Sequence, residues 1–124
     1  MEENEVYSAI GEEGFQQLVG NFYRQVAADD ILGPLYPRHD FAGAEERLRD
    51  FLAFRFGGPP VYLEKRGHPR LRMRHAPFPV NQGARDRWME LMEKALASVP
   101  MPEEAKRLLR AYFESTATAM MNRL

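Results

Sequence analysis

The sequence predicts an all-α protein. Its apolar residues recur at helical rather than strand spacing in four separate blocks. Prolines and glycines separate the blocks, so each block can form its own long helix. A chain of 124 residues is long enough to enclose one core, and we therefore expect residues 1–124 to form a single domain.

The first block carries one apolar stripe along a predicted helix. Its members are Phe15, Leu18, Val19, Phe22, Tyr23 and Val26. A pair of aspartates ends the stripe, and the next segment contains Pro34 and Pro37, which permit only short turns. Tyr36 is therefore predicted to lie at a corner.

The second predicted helix runs from about residue 42 to residue 56. Ala44, Leu48, Phe51 and Leu52 share one of its faces. Two glycines and two prolines at positions 57–60 form a strong stop signal after it.

Residues 61–80 are predicted to be irregular, because this stretch is rich in charge and proline. Within it, the run from Pro69 to His75 can form two helical turns that begin on the proline. Pro77 and Pro79 end those turns.

Two further long helices follow. Asn81 is predicted to cap the first, in which Trp88, Leu91, Met92, Ala95, Leu96 and Val99 share a face. The second spans about residues 103–122 and aligns Ala105, Leu108, Leu109, Tyr112, Phe113, Thr116, Met120 and Met121. This last stripe is wide enough to pack on two neighbouring helices.

Composition argues against several kinds of partner. The formal net charge is −1, which favours neither a nucleic acid nor an anionic membrane. The chain has no cysteine, which excludes disulfides, thiolate metal sites and cysteine nucleophiles. It begins with acidic residues rather than a basic signal peptide, and no apolar run is long enough for a membrane helix. We expect a cytoplasmic protein.

A long irregular stretch between helices is usually functional. Here the stretch contains a short predicted helix whose last residue is His75. A helical bundle can hold a cofactor at such a gap, and haem fits because imidazole is a natural axial ligand of its iron. Leu71 shares the face of His75, while Arg70 and Arg74 lie on an adjacent face suited to the haem propionates.

Each of these residues also has an ordinary structural interpretation. A histidine in a polar loop is most often a surface residue, and Tyr23 and Trp88 on apolar stripes are by default core residues. The basic run Lys65, Arg66, His68, Arg70, Arg72 and Arg74 is usually a solvated face, or a weak RNA or DNA footprint that here lacks interleaved aromatic residues.

The chain resembles a group II truncated haemoglobin over nearly its whole length. The resemblance rests on Phe22-Tyr23, Leu35-Tyr36-Pro37, residues 42–48, Gly57-Gly58-Pro59, residues 66–78 and Trp88. It implies a truncated globin fold, in which a two-over-two helical sandwich holds one b-type haem. Phe56 departs from the tryptophan that many members have before the glycine pair, and Glu12 follows Gly11 where they have a second glycine.

The resemblance also implies a role for each site residue. His75 is expected to be the proximal iron ligand, and Tyr23, Tyr36 and Trp88 to be hydrogen-bond donors on the distal side. Ala44 occupies the distal position where many globins have histidine. The expected haem wall consists of Leu48, Phe51, Leu52, Met73, Phe78 and Met92. The expected propionate contacts are Arg47, Arg74 and Tyr62.

The function implied by the resemblance is reversible dioxygen binding with slow release, because phenol and indole donors stabilise partial negative charge on bound oxygen. Slow release favours sensing, scavenging or redox chemistry over oxygen transport. Carbon monoxide, nitric oxide and peroxide are further expected ligands. An enzyme that oxidises nitric oxide or reduces peroxide with an external reductase is the alternative, and a haem-free helical scaffold for nucleic acid is the remote one. The sequence leaves monomer and homodimer open.

Overall fold

The structure is a computed structural model that describes residues 1–124 and contains only helices and turns. Its α-helices are α1 (Val6–Ala27), α2 (Phe41–Arg55), α3 (Val61–Arg66), α4 (Leu71–His75), α5 (Gln82–Ser98) and α6 (Glu103–Ala119). Three 3-10 turns are Glu3–Glu5, Gly33–Leu35 and Arg38–Asp40. The all-α prediction is confirmed.

Helix α1 is central to the packing. It packs against both α2 and α5, and α5 also packs against α6. The largest fully buried side chains are Phe15, Phe22, Phe56 and Phe113, which come from α1, α6 and the end of α2. Each such ring contributes about 1.5 to 3 kcal/mol by burial. No polar or charged residue is buried, so apolar packing holds the core together.

Helix α1 is kinked at Gly11. The φ of this glycine is 71°, a left-handed value that most side chains avoid, and no atom would obstruct a side chain there. The kink turns the first residues of α1 back onto the core, where Val6 is fully buried and the Tyr7 ring stacks on Phe15 at 6.0 Å. Periodicity predicted the helix from Phe15 onward but not this bent extension.

The predicted stop after α2 is confirmed, since the helix ends at Arg55. Gly57 has a φ of 100°, and a Cβ there would collide with the backbone carbonyl of Asn4. The backbone N–H of Tyr7 donates to the carbonyl of Phe56 at 3.0 Å. The glycine therefore lets the N-terminal segment lie directly against the end of α2.

The prediction for residues 61–80 is wrong in two details. Residues 61–66 form α3 directly after Pro60, and Tyr62 is buried with its ring 5.4 Å from that of Phe51. A helix of this length is too short for apolar periodicity to reveal it. Helix α4 begins at Leu71 rather than Pro69, because Arg70 adopts a left-handed φ of 43°.

The remaining helices start as predicted. Asn81 caps α5, since its Oδ1 accepts a hydrogen bond from the backbone N of Ala84 at 2.8 Å. Helix α6 ends at Ala119, three residues earlier than predicted, and the chain after it turns towards Val80. None of the helices combines the length and the apolar character needed to cross a membrane.

Candidate functional site

A cavity of about 530 Å³ lies among the helices. It is lined by 25 residues, of which 18 are hydrophobic, and all six α-helices contribute to the lining. The volume lies within the range of about 300 to 1,000 Å³ that is typical of small-molecule and cofactor pockets. The mostly apolar lining suits a flat organic cofactor better than a free metal ion.

His75 is the one histidine that lines this cavity. It closes α4, and its Nδ1 lies 2.7 Å from the carbonyl oxygen of Leu71, one turn earlier. A carbonyl only accepts hydrogen bonds, so Nδ1 is the donor, and in the neutral imidazole this leaves the lone pair on Nε2. This is the arrangement that orients histidine ligands of metals.

The donor set indicates what could bind at His75. No group of three or more His, Cys, Asp or Glu residues could hold a metal ion by itself. A metal bound at His75 therefore needs its other ligands from a cofactor, and the ring nitrogens of a porphyrin supply them. One imidazole with a free Nε2, an apolar cavity and nearby arginines together fit haem.

Tyr23 on α1 reaches the cavity from the side of α2. Its hydroxyl donates to the carbonyl of Ala44 at 3.2 Å, and its ring meets that of Tyr36 edge-on at 5.5 Å. Burial raises the pKa of Tyr23 well above its ordinary value, so the phenol stays a neutral donor. Ala44 also lines the cavity, and its small side chain leaves space beside the hydroxyl.

Tyr36 and Trp88 complete the group of predicted distal donors. Burial raises the pKa of Tyr36 to about 12, and a hydrogen bond from Trp88 acts in the opposite direction. The indole N–H can only donate, so the bond runs from Trp88 to the Tyr36 oxygen. The structure thus brings all three predicted donors and Ala44 to one cavity.

Arginines supply the charged part of the lining, namely Arg47, Arg66, Arg74 and Arg85. Arg47 pairs with Asp40 at 2.9 Å. The Arg74 guanidinium donates to the backbone carbonyls of Pro69 and Arg66, and its carbon Cζ lies 5.9 Å from the centre of the Tyr62 ring. Arg70, predicted to share this role, does not line the cavity.

The predicted haem wall is partly assembled. Leu48, Phe51, Leu52 and Phe78 line the cavity, as does the predicted propionate contact Tyr62. Met73 and Met92 do not line it. Met73 is 60% exposed, because it lies two residues before His75 and so projects from the other side of α4. Met92 is fully buried in the core one turn beyond Trp88.

Sequence reasoning missed the contribution of α6 and of two arginines. Helix α6 provides Tyr112, Phe113, Thr116, Ala117 and Met120 to the lining. The width of its apolar stripe was the available signal, since one side packs on α5 and the other is left for the cavity. Arg66 lies four residues after Tyr62, so a helix over residues 61–66 would have placed both on one face.

Asn122 holds the segment that follows His75, and sequence reasoning missed it too. Its Nδ2 donates to the carbonyls of His75 at 3.2 Å and Phe78 at 2.9 Å. Its Oδ1 accepts from the backbone N of Val80 at 2.9 Å. This amide therefore joins the chain after α6 to the chain after α4, and it positions the end of the helix that carries His75.

Known proteins match this chain along almost its full length. The profile of the family described as "Bacterial-like globin" matches residues 5–122. Group 2 truncated hemoglobin YjbI of Bacillus subtilis (strain 168) is 40% identical over 96% of this chain and 89% of that protein. Two-on-two hemoglobin-3 of Arabidopsis thaliana is 33% identical over 94% of this chain and 69% of that protein.

Solved structures match in the same way. The hemoglobin of Chloroflexus aurantiacus superimposes with a TM-score of 0.92 at 48% identity, covering 95% of this chain and 98% of that one. The truncated oxygen-avid haemoglobin of Bacillus subtilis superimposes with a TM-score of 0.89 at 40% identity, covering 94% and 98%. Both matches confirm the truncated globin fold.

Proposed function

We propose that this chain is a haem protein that binds small gaseous ligands. It belongs to the bacterial-like globins and is a group II truncated haemoglobin, and this family implies haem as the cofactor. We infer that the haem is of the b type and that Nε2 of His75 binds its iron. The observation that carries this inference is the 2.7 Å bond between Nδ1 of His75 and the Leu71 carbonyl, which leaves Nε2 free inside the cavity.

When bound, the haem would supply an iron that takes a small gaseous ligand. The arginines around the cavity would meet the haem carboxylates, with Arg66 and Arg85 joining the predicted Arg47 and Arg74. The apolar walls exclude water from the ligand side. Ala44 leaves room for a diatomic ligand where a larger residue would block it.

The distal donors favour dioxygen among the diatomic ligands. Tyr23 and Trp88 can redirect their hydrogens from Ala44 and Tyr36 to a ligand with partial negative charge, whereas neutral carbon monoxide gains less from them. At about 0.5 to 1.5 kcal/mol for each hydrogen bond, two donors strengthen dioxygen binding by roughly 5-fold to 150-fold. We therefore propose slow dioxygen release, which suits sensing, scavenging or redox chemistry better than transport.

Optical spectra test this proposal directly. The purified protein, supplied with haem, is recorded in the ferric state, after dithionite and after carbon monoxide. We expect a Soret band that shifts on reduction and again with carbon monoxide, as for an imidazole-ligated iron. Stopped-flow mixing then measures dioxygen dissociation. Absence of a Soret band would contradict haem binding, and fast dissociation would contradict the proposed role of the donors.

A further inference from the structure

A chain of aromatic rings begins at Trp88, follows the cavity wall through Phe113 and Tyr112, and then leads away from the cavity. The Trp88 ring lies 5.5 Å from Phe113, and Phe113 lies 6.2 Å from Tyr112. Tyr112 in turn meets Phe56 edge-on at 5.3 Å.

The same chain continues from Phe56 to the N-terminal surface. Phe56 lies 6.4 Å from Phe15, and Phe15 stacks on Tyr7 at 6.0 Å with an angle of 18° between the rings. The kink at Gly11 and the hydrogen bond from Tyr7 N to the Phe56 carbonyl hold Tyr7 in this place. The rings therefore run without a gap from the cavity to the outside of the protein.

Tyrosine and tryptophan lose an electron far more easily than phenylalanine. The residues of the ring chain that can be oxidised are therefore Trp88, Tyr112 and Tyr7. The phenylalanine rings between them are not oxidised, but they fill the space between the oxidisable rings with closely packed aromatic groups through which an electron can tunnel. Oxidation of a phenol also releases its proton, and a tyrosine therefore needs a nearby base. Tyr7 has one, because its hydroxyl donates to Oε2 of Glu12 at 3.1 Å.

Tyr23 and Tyr112 are less suited than Tyr7 to remain oxidised. Tyr23 donates to a backbone carbonyl, which cannot take up a proton at neutral pH. The guanidinium carbon of Arg55 lies 4.6 Å from the ring centre of Tyr112, and this cation opposes positive charge on the ring. Among the protein's tyrosines, Tyr7 is the one whose hydroxyl donates to a carboxylate.

The geometry points to Tyr7 as an oxidation site. Hydrogen peroxide that reacts at the haem in the cavity oxidises Tyr7 through this chain of rings. An electron leaves Trp88 towards the cavity, an electron from Tyr7 refills Trp88 by way of Tyr112, and the phenolic proton moves to Glu12. Glu12 then releases this proton to solvent. Tyr7 supplies one electron, and the second comes from a further donor at the surface, either Tyr7 of a second molecule or a reductant such as ascorbate. These two electrons and two protons from solvent convert one hydrogen peroxide into two water molecules. The inference rests on the proposed haem function.

The product of each transfer is a neutral phenoxyl radical on Tyr7. Two radicals on separate molecules join through their ring carbons, and each ring then moves one hydrogen to its oxygen to give dityrosine. A small one-electron donor such as ascorbate instead returns an electron, and a proton restores the phenol. Covalent dimers of the protein therefore report the oxidation of Tyr7 without any assay of turnover.

The test treats the haem-loaded protein with hydrogen peroxide and measures dityrosine fluorescence and the covalent dimer on denaturing gels. Peptide mapping locates the cross-link. We expect a Tyr7 to Tyr7 cross-link in the wild type, suppression by ascorbate, and loss of the dimer in Tyr7→Phe. Tyr112→Phe keeps the ring but removes an oxidisable site, and we expect a clearly lower yield of dimer.

Glu12→Gln tests the proton acceptor, and Glu13→Gln is its matched control because Glu13 is also exposed and does not contact Tyr7. We expect Glu12→Gln to lower the dimer yield and Glu13→Gln to leave it unchanged. If the Soret band is normal but the dimer persists in Tyr7→Phe, or its yield is unaffected by Tyr112→Phe, the inference is overturned while the proposed haem function stands. A missing Soret band would instead overturn the proposed function and the inference together.

Discussion

Arg87 and Asp29 form an ion pair in which Nη1 of the guanidinium lies 2.6 Å from Oδ1 of the carboxylate. Arg87 directly precedes Trp88 on α5. Asp29 follows α1, and its Oδ2 accepts hydrogen bonds from the backbone amides that begin the corner containing Tyr36. The pair therefore joins the segments that carry two of the proposed distal donors.

Asp29→Ala removes this ion pair and both backbone hydrogen bonds. We expect a loss of about 1 to 3 kcal/mol in the free energy of unfolding, measured by urea denaturation at neutral pH. Asp30→Ala is the matched control: Asp30 faces the same guanidinium at 3.5 Å, but its side chain is 90% exposed. Equal losses in both variants would contradict a special role for Asp29.

The contribution of Asp29 depends on pH. Burial raises the pKa of this carboxyl, but hydrogen bonds from the Leu32 backbone and Arg87 outweigh burial and hold the pKa below its ordinary value. A depressed folded pKa means that the stabilisation is present above the unfolded pKa of about 3.9 and is lost as pH falls through the folded pKa. The stability difference between wild type and Asp29→Ala should therefore shrink below about pH 4.

His75→Ala removes the proposed iron ligand. We expect the variant to lose haem during gel filtration and to recover its Soret band when free imidazole is added. His68→Ala is the control, because His68 is exposed, does not line the cavity and accepts a hydrogen bond from the Arg70 backbone. Haem retention by His75→Ala equal to that of His68→Ala would show that another residue binds the iron.

Tyr23→Phe and Trp88→Phe each remove one distal donor while keeping an aromatic ring. We expect dioxygen dissociation to become roughly 2- to 10-fold faster in each variant, since one hydrogen bond contributes about 0.5 to 1.5 kcal/mol. Stopped-flow measurement of carbon monoxide dissociation provides the comparison, and its rate should change less. Unchanged dioxygen rates in both variants would refute the distal roles.

Asn122→Ala removes the amide that connects the chain after α6 to the segment after His75. The variant loses three hydrogen bonds to this segment, and we expect haem dissociation to be faster by roughly tenfold. Asn21→Ala serves as a control, because the Asn21 amide donates to Ser98 away from the cavity. The same haem dissociation rate in both variants would exclude the positioning role of Asn122.

Gly57→Ala places a Cβ against the backbone carbonyl of Asn4 at a φ of 100°. We expect a loss of more than about 2 kcal/mol in thermal or urea unfolding, because backbone must move as well as adopt a strained conformation. Gly67→Ala also places a side chain at positive φ, but no atom lies within 4 Å of its Cβ. We expect Gly67→Ala to lose less free energy of unfolding. The difference between the two variants measures the cost of the collision apart from the backbone strain.

The sequence by itself predicted the four long helices and several of their ends, and it singled out His75 as the candidate iron ligand. Proline and glycine act locally on the backbone, and apolar periodicity is a property of one segment, so both are readable without neighbours. The cap at Asn81 and the stop before Gly57 follow from such local rules. The resemblance to a family then assigned the roles of His75, Tyr23, Tyr36 and Trp88 as expectations, and the structure brings all four to one cavity.

Only the tertiary structure decided which helix faces surround the cavity. Spacing shows which residues share a face but not what that face meets. The contribution of α6 was therefore unpredicted, and Met92, predicted for the haem wall, lies in the core outside the cavity lining. Asn122 meets His75 across 47 positions of sequence. The ring chain from Trp88 to Tyr7 involves three helices and the end of α2. Such contacts arise when separate segments pack together, and no local pattern contains them.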